Sequence, residues 1–375
     1  MTSAELIIKL KSPHPEDLFG DEATEKSVSS EYGTLAKLVH PDTAKDIDLK
    51  VAAEAFDKLT RCKELAVLKL QAGTYGDRTV LPKPINVGTK KVQYVLTHKL
   101  ATTDTANLFR GTESKTGQPI ILKVVKSPND NDLLKSEREL LKDIRSNPKT
   151  DSLNTLQHLP KIVDSFIYVD GNKHRETIVF EDYPKEGLTL TQLKQDYFSD
   201  GVPLEHLAWM FNRLLGSLEG PHLLGYVHGA IIPANFVIFP STHNGILTNW
   251  EYAVKTGETV KALAAFKDYR MFYPEEITTK KPVSTGTDLF MAAKLFIYMS
   301  GGSIHINNFP DKWAPHGITP NQLKGYKNIQ GLMKACLLGP ITRSNDVGNF
   351  YTEFREALKQ IFGPPKWRDL VLPKK

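Results

Sequence analysis

A small set of polar side chains in apolar surroundings limits the chemistry open to this chain. The segment YVHGAIIPANFVIF sets the imidazole of His228 and the carboxamide of Asn235 on either side of an apolar run. Beyond it, NWE supplies the carboxamide of Asn249 and the carboxylate of Glu251. Upstream, IILK ends in Lys123, and LLKSERELLKDI carries Glu137. Stabilising a transferred phosphoryl or nucleotidyl group needs a metal or a cationic clamp. Magnesium prefers carboxylate oxygens and dehydrates reluctantly, so the neutral Asn249 is a weak ligand for it. Ala230, between His228 and Asn235, can neither accept a proton nor orient a hydroxyl. A buried Lys–Glu pair persists for structural reasons alone, because removing one partner strands the other's charge. Near the start, the polar run HPDTAKDID carries His40, Pro41 and Asp42.

These groups need a substantial scaffold. The chain has 375 residues, 40% hydrophobic and 24% charged, enough for two domains and a sizeable core. The formal net charge of +5 is mild, and no basic run interleaves with aromatics, so no nucleic-acid partner is expected. The cysteines, Cys62 and Cys336, are too few and too far apart for a disulfide framework or a zinc site, which fits a reducing compartment. No apolar stretch approaches the roughly 20 residues of a membrane span. The opening MTSAELIIKLKSPHPEDLFG is too short and too broken in its apolar patch for a signal peptide. A cytoplasmic protein without membrane contact is therefore expected.

The pattern divides the chain into a helical module over 1–75, a Gly- and Pro-containing linker over 76–91, a main domain over 92–363 and a loosely held tail over 364–375. In the first module, Val28, Tyr32, Leu35 and Val39 recur at helical spacing. Pro41 disfavours helical geometry at His40 and ends that helix. Val51, Ala55, Phe56, Leu59, Cys62 and Ala66 give a second helix a matching stripe. Two such helices can close as an antiparallel hairpin with the polar loop at its tip. The main domain reads as strands first and helices later, an α+β arrangement.

EYGTLAKLVHPD and AAEAFDKLTRCKEL resemble the second and third helices of the J domain of DnaJ-type cochaperones. The resemblance implies that His40, Pro41 and Asp42 dock on a DnaK-type heat-shock ATPase and trigger its hydrolysis of ATP. PEDLFGDE is at most a remnant of that family's first helix. Lys26 and Lys37 are the main basic residues of the second, whose positive face meets the ATPase in the family.

From Val92 to Phe362 an ordered series of motifs resembles the protein-kinase fold, with its two lobes. The three glycine positions of the phosphate-covering loop hold Ala101, Thr103 and Ala106. Lys123 matches the ATP-contacting lysine and Glu137 its partner. Phe180 lies near the gatekeeper position of the hinge. His228, Ala230, Ile232 and Asn235 fall on the catalytic loop, where Ala230 replaces the catalytic aspartate. Asn249, Trp250 and Glu251 stand for Asp-Phe-Gly. HG and NWEYA also echo the aminoglycoside- and choline-kinase branch. Glu251 is expected to face solvent or pair locally. Glu275 matches the glutamate of Ala-Pro-Glu, Asp288 the aspartate of the central helix, and Arg343 the arginine that pairs with that glutamate.

The fold-bearing motifs thus survive where the charge-bearing ones do not. The resemblances together imply a cochaperone or adaptor with a catalytically inactive kinase-like domain that binds a client protein. No catalytic residue and no metal ligand is assigned, no cofactor is required, and ATP binding is weak. The alternatives are a kinase fold retooled for another transfer, such as nucleotidyl transfer, and a purely structural scaffold.

Overall fold

The structure is a computed structural model, and it describes the chain except residues 43, 45, 303, 305–318, 320–321 and 374–375. The chain divides into two units. The first comprises residues 1–101 and 108–119, the second residues 102–107 and 120–375.

The first unit opens with helices α1 (Ser3–Lys9), α2 (Glu16–Phe19), α3 (Glu25–Val39) and α4 (Leu49–Gln71). Thr2 and Glu5 form a capping box on α1, Thr24 caps α3, and Asp48 accepts from Lys50 and Val51 at the start of α4. His40 adopts an extended backbone (ψ 130°), which stops α3 one residue before Pro41. Val28, Leu35 and Val39 on α3 share one core with Ala55, Leu59 and Ala66 on α4. Tyr32 bonds to Thr60 (3.1 Å) and the His40 ring meets Phe56, so rising positions on α3 meet falling positions on α4. The two helices are therefore antiparallel. PEDLFGDE yields only the single turn of α2. The longer preceding helix is α1, whose Leu6 is buried in the same core. The hydroxyl of Ser3 donates to the Leu38 carbonyl (2.9 Å) and ties α1 to the end of α3.

A buried ion pair fastens these helices to the chain that follows. Lys69 on α4 donates to Glu16 on α2 and to the Asp77 carbonyl (2.8 Å), and the Gly76 N–H donates to Glu16 (3.0 Å). Outside it, Arg78 pairs with Asp17 and Asp21. Strand β1 (Val80–Gly88) starts immediately afterwards and pairs antiparallel with β2 (Gln93–Thr102), which neighbours β3 (Ala106–Glu113). The span 76–91 is thus largely a strand and not a linker. Pro82 and Pro84 hid it by breaking the alternation, yet β1 is an edge strand whose register shifts between Val80 and Ile85, where prolines are tolerated.

In the second unit, β4 (Pro119–Val125) leads into α5 (Asn131–Ser146). β5 (Ile162–Asp170) and β6 (Lys173–Glu181) follow, with β6 paired antiparallel between β4 and β5. The chain then turns helical. After β7 (Leu188–Thr189) come α6 (Leu190–Asp196) and α7 (Leu204–Leu223). Four short strands, β8 (Tyr226–Val227), β9 (Phe236–Phe239), β10 (Asn244–Leu247) and β11 (Val254–Lys255), carry the loops of the candidate site. Helices α8 (Phe266–Tyr269), α9 (Glu275–Thr278), α10 (Thr285–Met299), α11 (Leu323–Cys336) and α12 (Val347–Phe362) complete the unit. Phe211 of α7 sits edge-on to Phe296 of α10 and Phe354 of α12, with ring centres 4.9 and 5.0 Å away, at the heart of the helical core. No helix among the described residues is long and apolar enough to cross a membrane.

Two expectations change here. Arg343 pairs with Glu276 (2.7 Å) and not with Glu275, which is exposed and meets Lys281. Both glutamates open α9, and the turn of roughly 100° between neighbours on a helix sends only the second inward. The described part of the tail is also held: Trp367 stacks on His243, Arg368 pairs with Glu205 and Leu370 is buried.

Arg343 and Glu276 are both buried, so truncating one strands the other's charge. Arg343→Met should destabilise the chain by about 3–5 kcal/mol in urea denaturation. Glu275→Gln, at an exposed pair, should change stability by less than about 0.5 kcal/mol. Equal effects would contradict the reassignment.

Candidate functional site

Lys123 lies on β4 opposite Ile178 of β6, with its side chain almost completely enclosed (2% exposed). Its neighbour along the site, α5, buries Leu133, Leu134, Leu140, Leu141 and Ile144. Glu137 sits three or four residues from four of these, so the same face carries it inward. The Lys123 ammonium donates to Glu137 (2.8 Å), to Glu251 (2.7 Å) and to the Asn249 side-chain oxygen (3.2 Å). An ammonium has three N–H bonds. All of them are engaged by side chains of the protein itself.

The loop after β10 builds the other half of this cage. Asn249 has a left-handed backbone (φ 62°), which asparagine tolerates better than other side-chain-bearing residues. The fully buried Trp250 donates its indole N–H to the Leu247 carbonyl and its backbone N–H to Glu137 (3.1 Å). This tight turn directs Glu251 inward, where its second oxygen accepts from the Thr105 hydroxyl (3.2 Å). Glu251 therefore neither faces solvent nor pairs locally. Its placement between Trp250 and Tyr252, both buried, was the available signal. Thr105 gave none.

The carboxamides extend the network. Asn249 donates to the Asn235 oxygen (2.8 Å), and Asn235 donates to the Ala230 carbonyl (2.9 Å). Asp288 anchors the segment after β8 by accepting the backbone N–H groups of His228 (2.7 Å) and Gly229 (2.8 Å). It also meets His222 (2.9 Å). The His228 ring bonds to the Thr248 carbonyl (2.9 Å). Gly229 has φ +69°, and a Cβ there would lie 2.9 Å from Val260. Glycine is required at that position on both counts.

The residues at the glycine positions are engaged as well. Thr103 donates its backbone N–H to the Ala106 carbonyl (2.9 Å), and its hydroxyl accepts the Ala106 N–H (3.0 Å). Asp104 accepts the Ala265 N–H (2.6 Å). The segment bonds to its own chain through N–H groups that a phosphate-covering loop would leave open.

The structure thus brings Lys123, Glu137, Asn235 and Asn249 together, with His228 and Asp288 beneath them. Phe180 is buried on β6 opposite Ile121. Arg343 and Glu276 lie in a separate ion pair, and His40, Pro41 and Asp42 belong to the first unit. Both carboxylates that could attract a cation are engaged by Lys123.

One ammonium faces two carboxylates in this enclosure. Burial works against the Lys123 charge, but Glu137 and Glu251 outweigh it and hold the ammonium above its ordinary range. Burial raises Glu137, Lys123 opposes the rise and Glu251 adds to it, leaving Glu137 up at about 7. A carboxyl raised in the folded state binds its proton more tightly there than in the unfolded chain. Its stabilising contribution is full below 4.5 and is lost as pH rises through about 7. Glu137→Gln removes that titration. The wild type should therefore lose more stability than Glu137→Gln between pH 5 and pH 8, as read from urea midpoints. Parallel pH profiles would show that Glu137 is not raised.

No protein-family model matches this sequence, and no curated protein matches it. Among solved structures, the chain is similar to the one described as the crystal structure of the BubR1 kinase domain. The identity is 15%, the match covers 75% of this chain and 85% of that one, and the TM-score is 0.54. Identity at that level speaks to architecture alone. The chain has a protein-kinase-like fold of mixed helix and sheet.

Proposed function

We propose that this chain is a cochaperone or adaptor. In this reading its helical hairpin is a J-domain module that recruits a DnaK-type ATPase, and its kinase-like unit binds a client protein without transferring phosphate. The observation that carries the reading is the presentation of His40, Pro41 and Asp42. They sit at the turn leaving α3, in the loop that joins the two antiparallel helices. The His40 ring stands edge-on to Phe56 with centres 4.9 Å apart, and its Nδ1 accepts the Asp42 N–H (3.2 Å). The Asp42 side chain is 86% exposed. A positioned imidazole beside an exposed carboxylate suits a docking contact more than a structural cap.

The Lys123 cage supports the second half of the reading. Phosphoryl transfer relies on positioning and on charge neutralisation by lysine and metal. Lys123 has no N–H left for a phosphate, Asn249 and Ala230 stand in the places of the family's aspartates, and Glu251 adds a negative charge beside the lysine. On this account ATP is bound weakly, no cofactor is needed, and the fold serves as a binding body. Lys26 and Lys37, both exposed on α3, form a sparse positive face, which favours slower association with an acidic partner.

The test is single-turnover ATP hydrolysis by a DnaK-type chaperone, with the wild-type chain and with His40→Gln. The wild type should accelerate hydrolysis by at least about fivefold, and the variant should not. Equal rates with wild type and variant, whether fast or slow, would remove the J-domain reading.

A further inference from the structure

A second concave site lies in the kinase-like unit, between α7, α12 and the tail that follows α12. It has a cavity volume of about 170 Å³, room for roughly six waters at about 30 Å³ each. Three of its lining residues hold buried polar atoms without a hydrogen-bond partner: the indole N–H of Trp209, the side-chain oxygen of Asn212 and Nε2 of His243. Buried polar groups are ordinarily paired, and leaving several of them unpaired in one place is costly.

The geometry around them is built rather than incidental. The His243 ring is sandwiched between Trp209 and Trp367, with centres 4.5 and 3.8 Å away and planes within 11° of parallel. His243 holds a left-handed backbone (φ 47°), and its carbonyl accepts from Arg213 (2.9 Å). A non-glycine residue in that region is strained, and the surrounding contacts hold it there. Arg368 pairs with Glu205 and closes the tail over α7.

Charge decides the kind of occupant. Glu205, the acidic residue among those lining the cavity, is already paired with Arg368. Arg355, Lys359 and Lys366 also line it and leave an excess of positive charge. Phe362, Pro364 and Pro365 contribute apolar wall. Burial holds the His243 imidazole below its ordinary pKa, so it is neutral at pH 7 and can donate or accept. An amide reorientation lets Asn212 donate instead of accept.

We propose that this cavity is a binding site for a small organic anion, with a carboxylate or phosphate head and a compact apolar body. The head meets Lys359, Lys366 and the indole N–H of Trp209. The body lies against Phe362 and the prolines of the tail. The site is separate from the Lys123 cage and does not depend on the cochaperone reading.

Benzoate and phenyl phosphate are suitable probes, with benzyl alcohol and inorganic phosphate as controls. Binding is read from tryptophan fluorescence, since Trp209 and Trp367 form the stack at the site. Both organic anions should saturate the signal, and the controls should bind at least about tenfold more weakly. Lys359→Met and Lys366→Met, at exposed positions, should each weaken the anions without lowering the melting temperature. Trp209→Phe keeps a ring on His243 but removes the N–H, and should weaken the anions as well. Benzyl alcohol binding as well as benzoate would reduce the site to an apolar hollow. Inorganic phosphate matching phenyl phosphate would remove the role of the apolar body. No saturable binding by any probe would mean that water alone fills the cavity. Each of these three results overturns the proposal.

Discussion

The Lys123 ammonium is the point on which the second unit depends. It is buried, and a buried cation persists only when paired and fully hydrogen-bonded. Glu137 comes from α5, Glu251 and Asn249 from the turn after β10, and Thr105 from the β2–β3 tip. One charge thereby holds together a strand, a helix, the turn after β10 and the β2–β3 tip. In an ATP-binding frame such a lysine meets a ligand's negative charge. Here Glu251 supplies that charge from within the chain. The arrangement gives Lys123 and Glu137 a structural role that needs no ligand.

The first unit uses the same device for another purpose. Lys69 and Glu16 are buried together and reach the turn at Gly76 and Asp77, so the helices and strand β1 share one electrostatic anchor. The hairpin tip carries no such burden: His40 is half exposed, and Asp42 is open to solvent. The kinase-like unit contributes a large body whose interior polar groups are, in the site, already satisfied.

Legibility in the sequence followed physical regularity. Helices α3, α4 and α5 were readable because their apolar residues recur at helical spacing over four turns or more. Helix α1 is too short to show a period, and only Leu6 and the capping pair at Thr2 and Glu5 mark it. Strand β1 was hidden by prolines that an edge can bear. The choice between Glu275 and Glu276 rested on which side of a single helical turn faces inward, and two adjacent glutamates give no sign of that. Lys123, Glu137, Asn235 and Asn249 were found as a set through motif order. Their shared network was not, because Glu251 lies 128 positions from Lys123 and a partner at such distance leaves no local trace. The tail leaves no local trace of its hold either, since its anchors are on α7 and at the β9–β10 turn.

The chain's own carboxylates occupy the cation that a nucleotide would need. Calorimetric titration of the full chain with ATP, with and without magnesium, is the decisive measurement. A dissociation constant weaker than about 1 mM, equivalent to less than about 4.1 kcal/mol, is expected, with little effect of magnesium. Micromolar, magnesium-dependent binding would contradict it, because Lys123 would then have exchanged Glu251 for a phosphate.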